Sequence, residues 1–449
     1  MFRKILVANR GEIALRVIRA CREMGICSVI AHSEADRDSL PVRMADERIC
    51  IGPGASSKSY LNIPNIISAA LISNAEAIHP GYGFLSENTS FAEICADVNV
   101  AFIGPSAAVM SRMGDKVSAR EAMAQAGLPT LPGTSVLHTL AEAREMAKEV
   151  DFPLMLKAVA GGGGRGIRLM RHPDELERVF VVAQNEVRAA FHDDGIYFER
   201  YLERARHIEI QVIVDHYGHG VHLGERNCSC QRRNQKVLEE SPSPRTPLAL
   251  RREMGTKAIE AVKQIGYRNA GTLEFLVDEQ ERYYFMEMNT RLQVEHPVTE
   301  MVASVDLVKE QIRIAAGLPL RLRQEDVVFH GHAIECRINA EDAEADFRPQ
   351  TGRIELYLPP GGPGVRVDSH LFTGYEVPPH YDSLLAKLIV WAPTRDEAIV
   401  RALRALDEFI IEGVTTTIPF LQRLLAHEGF IRGDTYTRFL QEEAVTLGI

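Results

Sequence analysis

Five polar side chains occupy alternate positions of one short stretch and could together bind a charged ligand. They are Glu287, Asn289, Arg291, Gln293 and Glu295. The aromatic run before them is typical of a β-strand, and on an extended backbone alternate residues share one face. Because a face of mixed charge is poorly suited to an apolar core, it requires a ligand, a metal ion or water. An ordinary strand with a solvated polar face is the alternative interpretation.

A second strand-like stretch, residues 272–277, is expected to pair with the first one. If the tight turn is centred on Gln280 and Glu281, paired residue numbers sum to 561 and Glu274 lies directly opposite Glu287. Opposed Cβ atoms are about 4.5–5.5 Å apart, and two carboxylates that close repel unless a cation lies between them or one is protonated. Together with Asn289, these oxygen ligands predict a site for a hard ion such as Mg²⁺ or Mn²⁺.

A glycine-rich segment offers a further kind of chemistry, the binding of phosphate. Four consecutive glycines at 161–164 separate two strand-like runs, and Lys157 precedes them. Glycines let backbone amides approach phosphate oxygens, and the lysine would add a positive charge. A Walker loop is excluded, since no Gly-Lys-Ser/Thr occurs and a strand at 167–170 follows where that motif needs a helix. We predict a β-hairpin flap over a nucleotide; a plain flexible turn is the alternative.

The composition is that of an ordinary globular protein and limits the classes of function. The chain has 449 residues, 45% hydrophobic and 25% charged, and this length suggests about three domains. Its net charge of -10 argues against nucleic acid as a partner. Positive residues concentrate at 225–236, where an anion-binding cluster and a solvated loop are both open interpretations.

The N-terminus and the cysteines predict a cytoplasmic protein with reduced thiols. The apolar run at residues 5–8 is too short for a signal peptide or a membrane span, so we expect no membrane partner. Seven cysteines, an odd number in a large chain, favour reduced thiols. Cys228 and Cys230 are a close pair, but without a second Cys/His cluster at zinc spacing we predict structural roles for both.

The elements that must position these residues begin with an alternation of strand and helix patterns. Residues 4–8 and 27–31 are typical of buried strands, and residues 11–24 of a helix with one apolar stripe. The alternation predicts a parallel-sheet α/β domain of roughly 110 residues, without a dinucleotide fingerprint. Residues 79–88 are rich in Gly, Pro and aromatics and predict a surface loop. Beyond residue 330 the pattern becomes richer in strands.

With these features together, the chain resembles the ATP-grasp enzymes and, among them, the biotin carboxylases. The resemblance runs from Lys4 nearly to the C-terminus and rests on residues 8–14, 79–88, 231–236, 287–297 and 335–342. It implies an α/β fold in three parts. These are an N-terminal parallel-sheet (Rossmann-like) domain at 1–114, a central ATP-grasp α+β domain at 115–328 with a mobile glycine-rich flap at about 131–203, and a C-terminal β-rich α+β domain at 329–449.

The resemblance implies roles for individual positions. The implied ATP-binding residues are Lys116, Lys157, Gly163, Gly164, Glu199, Arg200, Tyr201, Leu202, His207, Gln231, Asn234, Glu274 and Glu287. The implied metal ligands are Glu274, Glu287 and Asn289. The implied contacts of bicarbonate and biotin are Lys236, Arg291, Gln293, Val294, Arg337 and Tyr82. The implied catalytic set is Lys236, Arg291, Glu295 as the base that deprotonates bicarbonate, and Arg337 as the residue that stabilises the enolate of the biotin ureido ring.

The reaction so implied is the ATP- and bicarbonate-dependent carboxylation of biotin through carboxyphosphate, the first half-reaction of acetyl-CoA carboxylase. A metal ion and lysines suit the charge on a transferring phosphoryl group. Because no Met-Lys-Met biotinylation tripeptide occurs, we expect biotin on a separate carrier protein and a carboxyltransferase as a third partner. A homodimer with contacts at Arg19, Glu23 and Arg366 is also implied.

Three alternative functions stay open at this point. The chain could serve a pyruvate or propionyl-CoA carboxylase, because the acceptor would be chosen by a different protein. It could be a carboxylate–amine ligase of the same superfamily, which would have no use for Glu295 and Arg337. It could also be an ATP-binding regulatory subunit without turnover.

Three positions depart from the commonest family pattern. Asn234 stands where many members have His, which concerns a nucleotide contact. Asn227 stands where Asp is usual, and we expect this change to alter the orientation of Arg226. Pro363 replaces an aromatic at the implied dimer contact.

Overall fold

A parallel five-stranded sheet forms the N-terminal part of the computed structural model, which describes residues 1–150, 152–159, 167–191 and 195–449. The strand order is β3-β2-β1-β4-β5. The strands are β1 (Lys4–Val7), β2 (Cys27–His32), β3 (Glu47–Cys50), β4 (Ala77–His79) and β5 (Ala101–Phe102). The helices are α1 (Gly11–Glu23), α2 (Leu40–Met44), α3 (Ile63–Ser73), α4 (Thr89–Asp97) and α5 (Ala107–Gly114).

Both faces of this sheet are covered. Ile5 and Val7 pack into one apolar core, and Leu6, which points the other way, packs into a second. A continuous apolar strand is typical of a parallel sheet buried on both sides. The predicted N-terminal α/β arrangement is therefore confirmed.

A small antiparallel sheet, with strand order β7-β6-β8, follows in the chain. The elements of this part are α6 (Lys116–Gln125), α7 (Leu140–Val150), β6 (Leu154–Ala158), β7 (Ile167–Met170), α8 (Leu176–Phe191) and β8 (Ile196–Arg200). Strands β6 and β7 pair with Lys157 opposite Ile167, which confirms the two strands of the predicted hairpin. The predicted phosphate-binding glycines Gly163 and Gly164 lie outside the described residues.

An eight-stranded antiparallel sheet, in the order β13-β12-β9-β10-β11-β14-β21-β19, joins the central and C-terminal parts. The remaining strands are β9 (Arg206–Val214), β10 (Gly220–Arg232), β11 (Gln235–Ser241), β12 (Asn269–Val277), β13 (Tyr283–Asn289), β14 (His332–Asn339), β15 (Glu341–Asp342), β16 (Arg348–Pro349), β17 (Gly352–Arg353), β18 (Leu356–Leu358), β19 (Val365–Ser369), β20 (Glu376–Val377), β21 (Leu384–Ala392) and β22 (Ile410–Glu412). Since β11 pairs with β14, the segments before and after the predicted boundary at 328/329 share one sheet. The boundaries themselves stay predictions.

Helices pack on both sides of the large sheet. They are α9 (Leu248–Gln264), α10 (His296–Ala303), α11 (Leu307–Ala315), α12 (Arg395–Glu408), α13 (Ile418–Ala426), α14 (Glu428–Ile431), α15 (Phe439–Glu442) and α16 (Ala444–Leu447). Helix α12 begins with a capping box in which Thr394 and Glu397 bond each other's backbone amides. None of the described helices is long and apolar enough to cross a membrane.

Candidate active site

One cavity of about 1400 Å³ gathers the predicted site residues from all parts of the chain. Tyr82 reaches it from the N-terminal loop, Lys157 from the small sheet and Arg337 from the C-terminal part of the large sheet. Every predicted site residue within the described part of the chain lines this cavity. The structure thus brings these residues together, and their individual roles stay predictions.

The hairpin of β12 and β13 places Glu274 directly opposite Glu287, as predicted. The predicted turn centre was wrong, because Val277 pairs with Tyr283 and Phe275 with Phe285; Met286 is left over as a β-bulge, and this bulge brings Glu287 opposite Glu274. The bulge changes which residues face the cavity. Phe285 packs into the core, whereas Glu287 and Asn289 line the cavity.

The donors around this pair fit a hard cation. Burial raises the pKa of Glu287, and the neighbouring Glu274 carboxylate raises it further. Glu274 accepts hydrogen bonds at its Oε1 from Asn289 Nδ2 and Gln293 Nε2, both at 2.7 Å. Two opposed carboxylates and a neighbouring amide oxygen suit Mg²⁺, and a cation would relieve their repulsion.

The extended backbone predicted through residue 295 ends earlier. Strand β13 stops at Asn289, and Glu295 is the N-cap of α10 with φ -80° and ψ 8°. The expectation that five alternate residues share one strand face was therefore wrong for Arg291, Gln293 and Glu295. All three still reach the cavity, because the chain turns along its wall.

Lys236 contacts three carboxylates of the site at once. Its Nζ donates to Glu295 Oε1 at 2.6 Å and to Glu274 Oε1 at 3.0 Å, and also contacts Glu209. Burial alone would raise the pKa of Glu295, but Lys236 lowers it below the usual range. Glu295 is therefore ionised at neutral pH and can accept a proton.

Arg226, which like Lys236 contacts Glu209, is fully buried and forms hydrogen bonds below the cavity surface. Its guanidinium donates to Glu209 Oε2 at 3.0 Å, to Gln211 Oε1 at 2.8 Å and to Gln293 Oε1 at 2.7 Å. The solvated-loop interpretation was wrong for residues 225–232, because they belong to β10 and Arg226 has 0% of its surface exposed; it holds for residues 233–235, which are exposed at the turn between β10 and β11. The buried Arg226 guanidinium bonds five neighbouring side chains in all, and this fixes its orientation and that of its partners.

Arg337 joins the base to the C-terminal part of the sheet. Its Nη2 donates to Glu295 Oε2 at 3.0 Å and its Nε donates to Glu239 Oε1 at 2.6 Å. Burial raises the pKa of Glu239 to about 7. Glu295, the predicted base, and Arg337, the residue expected to meet biotin, are thus hydrogen-bonded to each other.

The nucleotide end of the cavity lies between the two sheets. Lys157 forms a short ion pair with Glu199, and Gln231 Nε2 lies 2.7 Å from His207 Nδ1. Burial alone would lower the pKa of His207, but Glu274 and Glu209 raise it to about 9. Asn234 has φ 67° in the turn between β10 and β11, a conformation that Asn adopts readily.

An N-terminal loop closes the other end of the cavity. Asn9 Nδ2 donates to the carbonyls of Pro80 and Tyr82 at 2.6 and 2.8 Å. Gly81 has φ 63°, and a Cβ there would lie 2.9 Å from Asn9 Nδ2, so this tight arrangement requires glycine. Glu87, from the same loop, accepts from Arg291 Nε at 2.8 Å.

Asn227 lies on the face of β10 opposite Arg226. Its Nδ2 donates to Glu240 Oε1 at 3.3 Å and to Thr435 Oγ1 at 3.2 Å, and its Oδ1 accepts from Ser229 Oγ at 2.6 Å. Arg226 contacts none of these partners. The expected effect of Asn227 on the orientation of Arg226 is therefore absent from the contacts of these two residues.

Several site residues were missed from the sequence. Glu209 alternates with His207 and Gln211 along β9, a pattern that could have revealed it. The alternation in β11 did not predict that Glu239 belongs to the site, because a bulge at Val237 shifts the β10–β11 register between Lys236 and Glu239. All seven cysteines lie within the described residues and are free thiols, as expected.

The small sheet lies across the cavity from Glu274 and Glu287, the carboxylate pair that suits a metal ion. A cavity of nucleotide size between these two parts is the arrangement of an ATP-grasp ligase. Family models agree along the chain. "Biotin carboxylase, N-terminal domain" matches residues 1–110, "Carbamoyl-phosphate synthase L chain, ATP binding domain" matches 115–323, and "Biotin carboxylase C-terminal domain" matches 335–442. The chain belongs to the biotin carboxylase family.

Individual relatives are similar over nearly their full length. Biotin carboxylase from Nostoc sp. is 60% identical over 98% of this chain and 99% of its own. The structure of a biotin carboxylase–β-γ-ATP complex from Campylobacter jejuni has a TM-score of 0.95 at 48% identity, covering 98% and 99% of the two chains. The biotin carboxylase domain dimer of Hydrogenobacter thermophilus 2-oxoglutarate carboxylase, solved with MgADP, ADP and bicarbonate, has a TM-score of 0.94 at 50% identity, covering 100% and 99%.

Proposed function

We propose that this chain uses ATP and bicarbonate to carboxylate biotin on a separate carrier protein. The observation that carries the proposal is the direct contact of Glu295 with both Lys236 and Arg337. This contact sets Glu295, as the base, next to two cations. The Lys236 ammonium would bind bicarbonate, and the Arg337 guanidinium would bind the ureido oxygen of biotin. A carboxylate–amine ligase would have no use for this arrangement.

At the nucleotide end, Lys116, Lys157 and His207 bind the phosphates, and the backbone and side chains of residues 199–202 bind the adenine end. Glu274, Glu287 and Asn289 would hold the metal ion. When bound, Mg²⁺ or Mn²⁺ neutralises charge on the transferring phosphoryl group. The raised pKa of Glu287 beside Glu274 supports this assignment, since a cation removes its cause.

At the bicarbonate end, Lys236, Arg291, Gln293 and the Val294 backbone bind the anion. Glu295 takes the bicarbonate proton, and the oxygen so freed attacks the γ-phosphorus of ATP to give carboxyphosphate and ADP. The ionised state of Glu295, maintained by Lys236, supports its role as base.

At the biotin end, Tyr82 borders the pocket and Arg337 stabilises the enolate form of the ureido ring. Carboxyphosphate breaks down to CO2 and phosphate, the phosphate takes the N1 proton of biotin, and the N1 so freed attacks the carbon of CO2. The burial of Arg337 next to Glu295 supports this role, because a charge on the ureido oxygen is stabilised most in a site that excludes water.

The proposed setting is a homodimeric subunit of acetyl-CoA carboxylase in the cytoplasm. The relative with 60% identity is named only as biotin carboxylase, whereas the domain from a 2-oxoglutarate carboxylase is 50% identical. Service to a pyruvate or propionyl-CoA carboxylase is the second candidate. Co-purification of the carrier and transferase, followed by an assay with each acyl acceptor, separates the two.

The test of the chemistry is bicarbonate-dependent ATP hydrolysis stimulated by free biotin. Purified protein with Mg²⁺ should show it, and absence of biotin stimulation would refute the proposal. Arg337→Ala should slow transfer to biotin much more than it weakens ATP binding, because Arg337 lies at the biotin end of the cavity.

A further inference from the structure

Lys387 is a buried charge that the proposed chemistry does not use. It lies in β21 directly opposite Arg337 of β14, and 0% of its surface is exposed. Removing an ammonium from water costs several kcal/mol, so its partners must compensate. Burial alone would lower the pKa of Lys387, but Glu12, Glu335 and Asp368 raise it, and the group stays charged.

The contacts of Lys387 connect three separate parts of the site. Its Nζ lies 3.0 Å from Glu12 Oε1, in the first turn of α1. The same Glu12 oxygen accepts a short hydrogen bond from the Tyr82 hydroxyl. Lys387 Nζ also donates to the carbonyl oxygen of Val294 at 2.9 Å.

The bond to Val294 fixes the peptide that precedes the base. Rotation of that peptide would turn the backbone of Glu295 at the start of α10 and move its carboxylate away from Lys236, which lies 2.6 Å away. Through Glu12, the same ammonium orients the Tyr82 hydroxyl. A single cation therefore sets the geometry at the bicarbonate end and at the biotin end.

We propose that Lys387 is a positioning residue that aligns the Val294–Glu295 backbone for bicarbonate and, through Glu12, Tyr82 for biotin. This inference rests on the proposed function, because Tyr82 and Glu295 meet these two substrates only in that reaction. Lys387 itself touches neither substrate. Its loss should therefore change the use of bicarbonate and biotin while leaving the binding of ATP unchanged.

The test compares three variants of the full chain. Lys387→Met keeps the length of the apolar stem up to Cε but removes the ammonium and leaves Glu12 buried without its cation. The double variant Lys387→Met with Glu12→Gln removes both charges and stays foldable, since a buried pair can be replaced by neutral groups of similar size. Glu12→Gln alone keeps the bond from Lys387 to Val294. Lys257→Met, an exposed lysine of α9 paired with Glu253, is the matched control.

We expect the double variant to raise the KM for bicarbonate and the KM for biotin each by about tenfold, with the Kd of ATP within about twofold of the parent. Glu12→Gln should raise the KM for biotin alone. An equal loss in all three substrates, or no change in a folded double variant, would overturn the proposal. Biotin-stimulated hydrolysis missing from the parent protein would instead overturn the proposed function.

Discussion

Replacing Arg226 by lysine should selectively damage the use of bicarbonate. Lysine keeps the positive charge beside Glu209 but loses the planar fork that reaches Gln211 and Gln293 simultaneously. The bond from Arg226 Nη2 to Gln293 Oε1 is 2.7 Å long, and a hydrogen bond to a charged group contributes about 1.5–3 kcal/mol. Since about 1.4 kcal/mol is a factor of ten, the KM for bicarbonate should rise roughly 10- to 150-fold.

The assay is steady-state ATP hydrolysis with bicarbonate and ATP varied separately. The KM for ATP should stay within about twofold, because the side chains that Arg226 bonds include none of the predicted ATP-binding residues. Arg251→Lys is the control, since Arg251 also forms an ion pair with a buried carboxylate, Glu225 at 2.5 Å, but lies outside the cavity. A parallel rise in both KM values, or an equal bicarbonate defect in Arg251→Lys, would refute this reasoning.

Three further predictions follow from neighbouring residues. The pKa of His207 is raised from 6.5 to about 9, so charged His207 adds about 3 kcal/mol to the free energy of unfolding of the apo protein below pH 6.5, and this contribution is lost as the pH rises through 9. His207→Gln should flatten the fall of the free energy of unfolding with pH, measured by denaturant titration. An unchanged dependence of that free energy on pH would contradict this prediction. Glu274→Gln should raise the Mg²⁺ concentration for half-maximal hydrolysis at least about tenfold, with exposed Glu253→Gln unchanged as control; equal Mg²⁺ dependence would exclude Glu274 as a ligand. Asn227→Asp should keep bicarbonate-dependent hydrolysis within about twofold while lowering the free energy of unfolding, because it sets a carboxylate beside Glu240; a large loss of activity would show that Asn227 supports Arg226 after all.

Local patterns predicted those parts of the site that depend on neighbours in sequence. The two strand-like runs and the short turn between them were enough to predict that Glu274 and Glu287 meet, although the structure reaches this pairing through a bulge. The change from strand to glycine run to strand was enough to predict the paired strands around Lys157. The bulge at Met286 left no trace in the composition, and it is visible only in the strand pairing.

Other parts of the site depended on contacts between distant strands. Arg226 looked like part of a solvated basic loop, because nothing in its own segment shows that Glu209 and Gln293 surround it. Lys387 is one lysine in an apolar strand. Its partner Glu12 lies in the N-terminal helix α1 and its partner Val294 is 93 residues away in sequence, so its importance is visible only in three dimensions.

The division of the site between two sheets affects how the enzyme could close. Lys157 and Glu199 belong to the three-stranded sheet, whereas Lys236 and Arg337 belong to the eight-stranded sheet, and Glu295 follows directly from it. Rotation of the small sheet as a rigid body would change the distance from Lys157 and Glu199 to the predicted metal ligands in the large sheet. It would leave the distances among Lys236, Glu295 and Arg337 unchanged. In the proposed reaction, the geometry for carboxyl transfer would therefore not depend on closure, which would affect only phosphoryl transfer.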